Sequence, residues 1–197
     1  MLPEKFTLFI VDCQNDITKK DGAIYVPTSD SAVKHICKFI NENKDRIDRA
    51  ILSKSNHPMN YCMFKNYGGA YPKNCVEDTY GSEIDERVID TINKCNIDYF
   101  ELTHGEVSDF PETSASKYSH YITESFIIGS ATDAHRVITN DIVICGMIGD
   151  LMVNDTIVDL SNQFKQGNIH VFLDGVANVN KDTILNTLET YPNINVC

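Results

Sequence analysis

Six runs of apolar, β-branched and aromatic residues recur along the chain: FTLFIV (6–11), RAILSKS (49–55), DYFELT (98–103), DIVICG (141–146), IHVFLD (169–174) and INVC (194–197). Their shortness and β-rich make-up predict strands. Between them apolar residues fall at helical spacing. Val33, Ile36 and Ile40 share a face in SDSAVKHICKFINENK, Ile84, Val88 and Ile92 share one in IDERVIDTINKC, and KDTILNTLETY near the end also has helical spacing. Strand and helix alternating from end to end predict an α/β fold: right-handed crossovers, and a parallel sheet covered by helices on both faces. Two polar and aromatic stretches, 56–82 and 104–125, interrupt the rhythm after the second and third strands. Loops of that length in a compact domain usually carry function or motion.

The segment ICGMIGDLMVNDTIVDL (144–160) predicts a strand, a tight turn and a helix. Met152, Val153, Thr156, Ile157, Leu160 and Phe164 fall at helical spacing after Gly149 and Asp150. In such a fold, backbone N–H groups at a helix start face an anion or a developing oxyanion. The first turn here offers a thioether, Met152, which has no proton to lose.

Composition narrows the classes. The 197 residues suffice for one well-filled domain, and no Pro-, Gly- or Ser-rich linker divides them, so residues 1–197 are expected to form a single domain. With 17 Lys and Arg against 28 Asp and Glu, the formal charge is −11, which repels phosphate backbones and anionic lipid. Nucleic acid and membrane are therefore not expected partners. The apolar run in MLPEKFTLFIVDCQND is too short for a signal peptide core or a membrane span, so a soluble cytoplasmic protein is expected. Seven cysteines (13, 37, 62, 75, 95, 145 and 197), odd in number and without a C-x-x-C pair, suggest buried free thiols in a reducing compartment.

In doubly wound sheets the ligand sits beyond the carboxyl ends of the strands. The first strand ends in VDCQND, placing Asp12 at the rim with Cys13 behind it; Asp12 either relays a proton or caps the turn. The second ends in SKSNHP and brings His57, a weak metal signal when alone. The third ends in THGE and brings His104, before a glycine suited to a tight turn; a solvated loop histidine is the plain alternative. The fourth ends at the Gly149, Asp150, Met152 corner. Two histidines and an acid suffice for proton transfer, yet they supply no covalent nucleophile.

FIVDCQNDI, GAIYVP, HP followed by Phe, YPKNCVEDTYGSEI and VICGMIGDLMVNDT occur in an order and spacing that resemble the isochorismatase-like superfamily, which includes nicotinamidases and other cysteine hydrolases. The resemblance covers nearly the whole chain. It implies a single-domain doubly wound sandwich with a six-stranded parallel sheet flanked by helices, and a homo-oligomer whose neighbours help to close the pockets. It also implies an Asp, a Lys and a Cys at the active site. Asp12 matches the first, His104 falls at the Lys position, and Met152 takes the Cys position of G-x-x-x-D-x-C-V-x-x-T, with Gly146, Asp150, Val153 and Thr156 in place. The metal positions implied by the resemblance hold Ser55 and His57 for a D-x-H pair and Asn74 for a later histidine. Tyr61 stands where a further histidine often follows. No bound zinc or iron, and no cofactor, is expected.

Cys13, His57, Tyr61, Asn74, Cys75, Gly149 and Asp150 are the expected pocket residues around Asp12, His104 and Met152. Cys75, in the long loop, is the best-placed substitute thiol, although the family pattern has a Cys there alongside its ordinary nucleophile. Two functions stay open. One is a superfamily member without cysteine-hydrolase activity, kept for binding a small-molecule ligand or for regulation. The other is a thiol-free hydrolase of a vinyl ether or amide using Asp12 and His104, as in the isochorismatase branch, which lacks the Cys. A histidine is charged only below about pH 6.5 unless perturbed, so it anchors an anion less well than lysine.

Overall fold

A computed structural model describes residues 2–106, 108–109, 141–163, 168–178, 181–191 and 194–197. Its six strands are β1 (Phe6–Val11), β2 (Ile47–Ser55), β3 (Tyr99–His104), β4 (Asp141–Met147), β5 (Asn168–Ala177) and β6 (Ile194–Val196). All pair in parallel, in the order β3-β2-β1-β4-β5-β6. The helices are α1 (Asn15–Thr18), α2 (Ser29–Asn43), α3 (Glu86–Lys94), α4 (Asn154–Gln163) and α5 (Lys181–Thr190).

All six residues of β1 are buried, as expected for a central strand covered on both faces. Phe6, Leu8, Phe9 and Ile10 form the centre of the core with Ile51, Leu52, Ile142 and Ile144. Burying each such side chain contributes roughly 1.5 to 3 kcal/mol. At the sheet edge β3 exposes Tyr99, and Lys54 pairs with Glu101 across β2 and β3 at 2.6 Å. The helical stripes face inward: Val33, Ile36 and Ile40 of α2 and Val88 and Ile92 of α3 are all buried. Ile84 is buried too, but it precedes α3 and forms an antiparallel bridge to Gln14.

Two differences from the sequence pattern matter. The predicted tight turn after β4 is a π-helical turn, Gly149–Val153, that leads into α4. β5 also extends beyond the predicted 169–174, through GVA to Ala177. Its register against β4 shifts between Ile144 and Gly146, which bulges β5 near Phe172–Gly175. The expected loop at 110–125 and the helical position of Phe164 lie outside the described residues. Among the described residues, no helix is long and apolar enough to cross a membrane.

Candidate functional site

Strand order reverses between β1 and β4, the place where doubly wound sheets bind ligands. Val11 pairs with Gly146 there. Gly146 has φ +126°, and a Cβ at this position would run into the Val11 carbonyl, so glycine lets the two strands approach.

Asp12 leaves β1 in the left-handed region, at φ 45°, a conformation uncommon for a residue with a Cβ. Its carboxylate does not cap the turn. Ser53 Oγ donates to Oδ1 at 2.7 Å and Ser55 Oγ to Oδ2 at 3.1 Å. His104 Nε2 lies 2.9 and 3.0 Å from the two oxygens. The His104 and Asp12 side chains are both fully buried, so His104 is not a solvated loop histidine. Burial alone would raise the Asp12 carboxyl, but the attraction of His104, with hydrogen bonds from His104, Ser53 and Ser55, holds it below its usual range. Ser53 was not among the expected site residues, and Ser55 was noted only as a metal position. Their signal was there: two hydroxyls at alternate positions directly after the apolar centre Ala50–Leu52 of the strand.

Gln14 and Asp16 set the loops around this pair. Gln14 Nε2 donates to the Ser55 and Ser82 carbonyls at 2.7 and 2.8 Å, and its Oε1 accepts from Ser55 N. Asp16 Oδ2 accepts from Cys75 N at 2.6 Å, and Oδ1 from Ala23 N.

Met152 is buried in the π turn, and Thr156 Oγ1 donates to its carbonyl at 2.6 Å. The adjoining cavity is small, about 60 Å³, and mostly apolar. Ser55, His57, Tyr61, Asn74, Cys75 and Met152 all line it, so these expected positions do come together. Cys13 does not: it points into the main core, where burial, then Cys145 and Asp85, push its thiol well above the usual range. Gly149 and Asp150 form the turn without lining the cavity, and Gly149 packs on Asn178 instead. Asp12 and His104 are likewise outside the lining.

His57 is fixed from three sides. Its ring stacks on Tyr61 at 4.1 Å and 9° and meets Phe64 edge-on, and its Nδ1 donates to the Gly105 carbonyl at 2.9 Å. Gly105 has φ +72°, and a Cβ there would strike the imidazole. Burial pulls the His57 ring below its usual range, against the hydrogen bond to Gly105. Cys75, at φ 45°, is a poor substitute nucleophile because burial, then the charges of Asp12 and Asp16, raise its thiol well above the usual range.

Known proteins share this fold. Along 164 residues the chain is 23% identical to the nicotinamidase of Saccharomyces cerevisiae, a match covering 64% of this chain and 76% of that protein. The pyrazinamidase of Pyrococcus horikoshii, whose crystal structure is in complex with zinc, superposes with a TM-score of 0.76 at 21% identity over 99% of both chains. An isochorismatase-like hydrolase from Alkaliphilus metalliredigens superposes with a TM-score of 0.68 at 16% identity, over 98% of this chain and 93% of that one. The chain has the fold of the isochorismatase-like hydrolases. No protein-family model matches it.

The superfamily metal can be tested against the residues present. Ser55 Oγ donates to Asp12, Asn74 Nδ2 donates to the Pro72 carbonyl at 2.8 Å, and His57 keeps one ring nitrogen beyond its Gly105 bond. A zinc site requires about three protein ligands, and thiolate, imidazole or carboxylate donors. One imidazole, one hydroxyl and one amide do not fit the ion. Among the described residues, no group of three His, Cys, Asp or Glu could hold a metal.

Proposed function

We propose that this superfamily member lacks cysteine-hydrolase activity and is kept for binding or regulation. The observation that carries this reading is the content of the small cavity. Met152 occupies the nucleophile position inside a space of about 60 Å³, while Asp12 lies outside its lining. That volume holds about two waters at roughly 30 Å³ each and falls far below the roughly 300 Å³ at which ligand pockets begin. A thioether cannot become a thiolate, and removing a nucleophile typically costs several orders of magnitude in rate.

A second reading is favoured by the Asp12–His104 hydrogen bond: a thiol-free hydrolase in which the pair activates water. Turnover of nicotinamide and isochorismate by wild type, Asp12→Ala and Met152→Cys separates the two readings. No turnover by wild type on either compound is expected. Turnover by wild type that vanishes in Asp12→Ala, with the variant folded by circular dichroism, would overturn the first reading and establish the second.

A further inference from the structure

A second, larger cavity opens at the carboxyl end of β5. It measures about 330 Å³, within the range of small-molecule sites, and lies between the first turns of α2, the bulged end of β5 and α5. The β5 bulge builds it: the register shift against β4 sets Leu173 and Asp174 in its wall. Bulges of this kind re-aim side chains and recur beside functional sites.

One wall is apolar. Val176 and Ile184 are buried in it, and Leu185, 47% exposed, stands at the rim. The polar wall is rich in acceptors. His35 Nδ1 lies 3.0 Å from the Asp174 carbonyl, which can only accept, so Nδ1 carries a proton, and in the neutral form of the ring Nε2 is an acceptor. The exposed Asp174 carboxylate has no ion-pair partner among the described residues. No lysine or arginine occurs among the described residues that line the cavity. A chain carrying a net charge of −11 adds a field that draws cations and repels anions.

We infer that this cavity binds a small amphipathic amine, its ammonium held by the Asp174 carboxylate and His35 Nε2 and its hydrocarbon body on Val176, Ile184 and Leu185. The ammonium supplies donors to the Asp174 carboxylate and His35 Nε2, and the apolar body covers the opposite wall. The site is separate from the Asp12 cavity and does not depend on whether that cavity is catalytic. Asn178, which lines the amine site, also packs on Gly149 of the turn that carries Met152.

The test is titration of the isotope-labelled full chain with hexylamine, followed by NMR, with hexanoate and hexanol as matched controls. Saturable shifts for the amine at residues 31–35, 173–178 and 184–185, with none for hexanoate, are expected. Asp174→Asn should weaken amine binding on the order of tenfold, the size of a charged hydrogen bond. Leu185→Ala should weaken the amine and hexanol alike. Asp174 and Leu185 are exposed, so both variants should fold. Equal shifts with amine and hexanoate, shifts confined to the Asp12 cavity, or unchanged affinity in Asp174→Asn would overturn the proposal. So would a lysine-rich peptide that shifts these residues when free hexylamine does not, which would mark a protein partner instead.

Discussion

Asp12 shows how a single buried charge is made tolerable. An unpaired carboxylate at this depth would cost several kcal/mol, and it persists because two serine hydroxyls and His104 saturate its oxygens. The same saturation turns it away from the cavity that lies beside it. Asp12→Asn keeps the shape but presents an amide N–H to groups that all donate. It should destabilise the chain by roughly 3 to 5 kcal/mol, the usual penalty for breaking a buried pair from one side. Removing both partners leaves no orphaned charge. In urea unfolding, Asp12→Asn combined with His104→Gln should therefore cost less than the sum of the two single changes, and simple additivity would show that the pair is not coupled.

At the scale of elements, helix α3 depends on one buried cap. Asp85 accepts from Arg87 N at 3.1 Å, from the Arg87 guanidinium at 2.9 and 2.7 Å and from Thr18 Oγ1 at 2.8 Å. Burial works against the ionised form, but the hydrogen bonds from Arg87 and Thr18 prevail and pull the carboxyl down to about 2. A carboxyl lowered on folding stabilises the fold above its unfolded pKa near 4, and that stability drains away as pH falls towards 2. The shift corresponds to about 2 kcal/mol. Asp85→Asn should thus cost about 2 kcal/mol at neutral pH and much less near pH 2, measured by urea unfolding at both. A difference that stays constant with pH would mean that the cap's charge is not what stabilises α3.

The π turn belongs to this scale as well, and shows where sequence reading runs out. Strands and helical faces were legible because strands buried on both faces are short continuous apolar runs and helix faces carry a period of 3.6. The geometry of the Gly149–Val153 turn and the β5 bulge were not, since both depend on how strands approach in space. Asp12, His104 and Met152 could be placed at the correct sheet edge from the order of strands alone. That Cys13 faces the core, and that Ser53 and Ser55 bind Asp12, depended on the direction each side chain takes at a strand end.

Across the whole molecule, the loop from 56 to 82 is tied to the sheet edge by its own contacts. His57 N donates to the Cys75 carbonyl, Glu77 N to the His57 carbonyl, and the His57 ring joins Tyr61, Phe64 and Gly105 in one cluster. Aromatic pairs of this kind contribute about 0.5 to 1.5 kcal/mol each beyond the area they bury. They cross-link the loop to the sheet edge, the task a bound ion would otherwise perform. Melting should therefore be indifferent to chelator, and zinc should not raise Tm. Tyr61→Ala should instead lower stability by about 3 kcal/mol or more, because it empties a buried aromatic site and unstacks His57. The converse experiment installs donors: Ser55→Asp, Tyr61→His and Asn74→His together with the resident His57. Zinc at about a hundred times its dissociation constant adds roughly 2.7 kcal/mol to a folded site, about 5 to 10 °C in a chain of this size. A zinc-dependent rise in the triple variant alone is the expected outcome in calorimetry, and an equal rise in wild type would show that the native residues hold the ion after all.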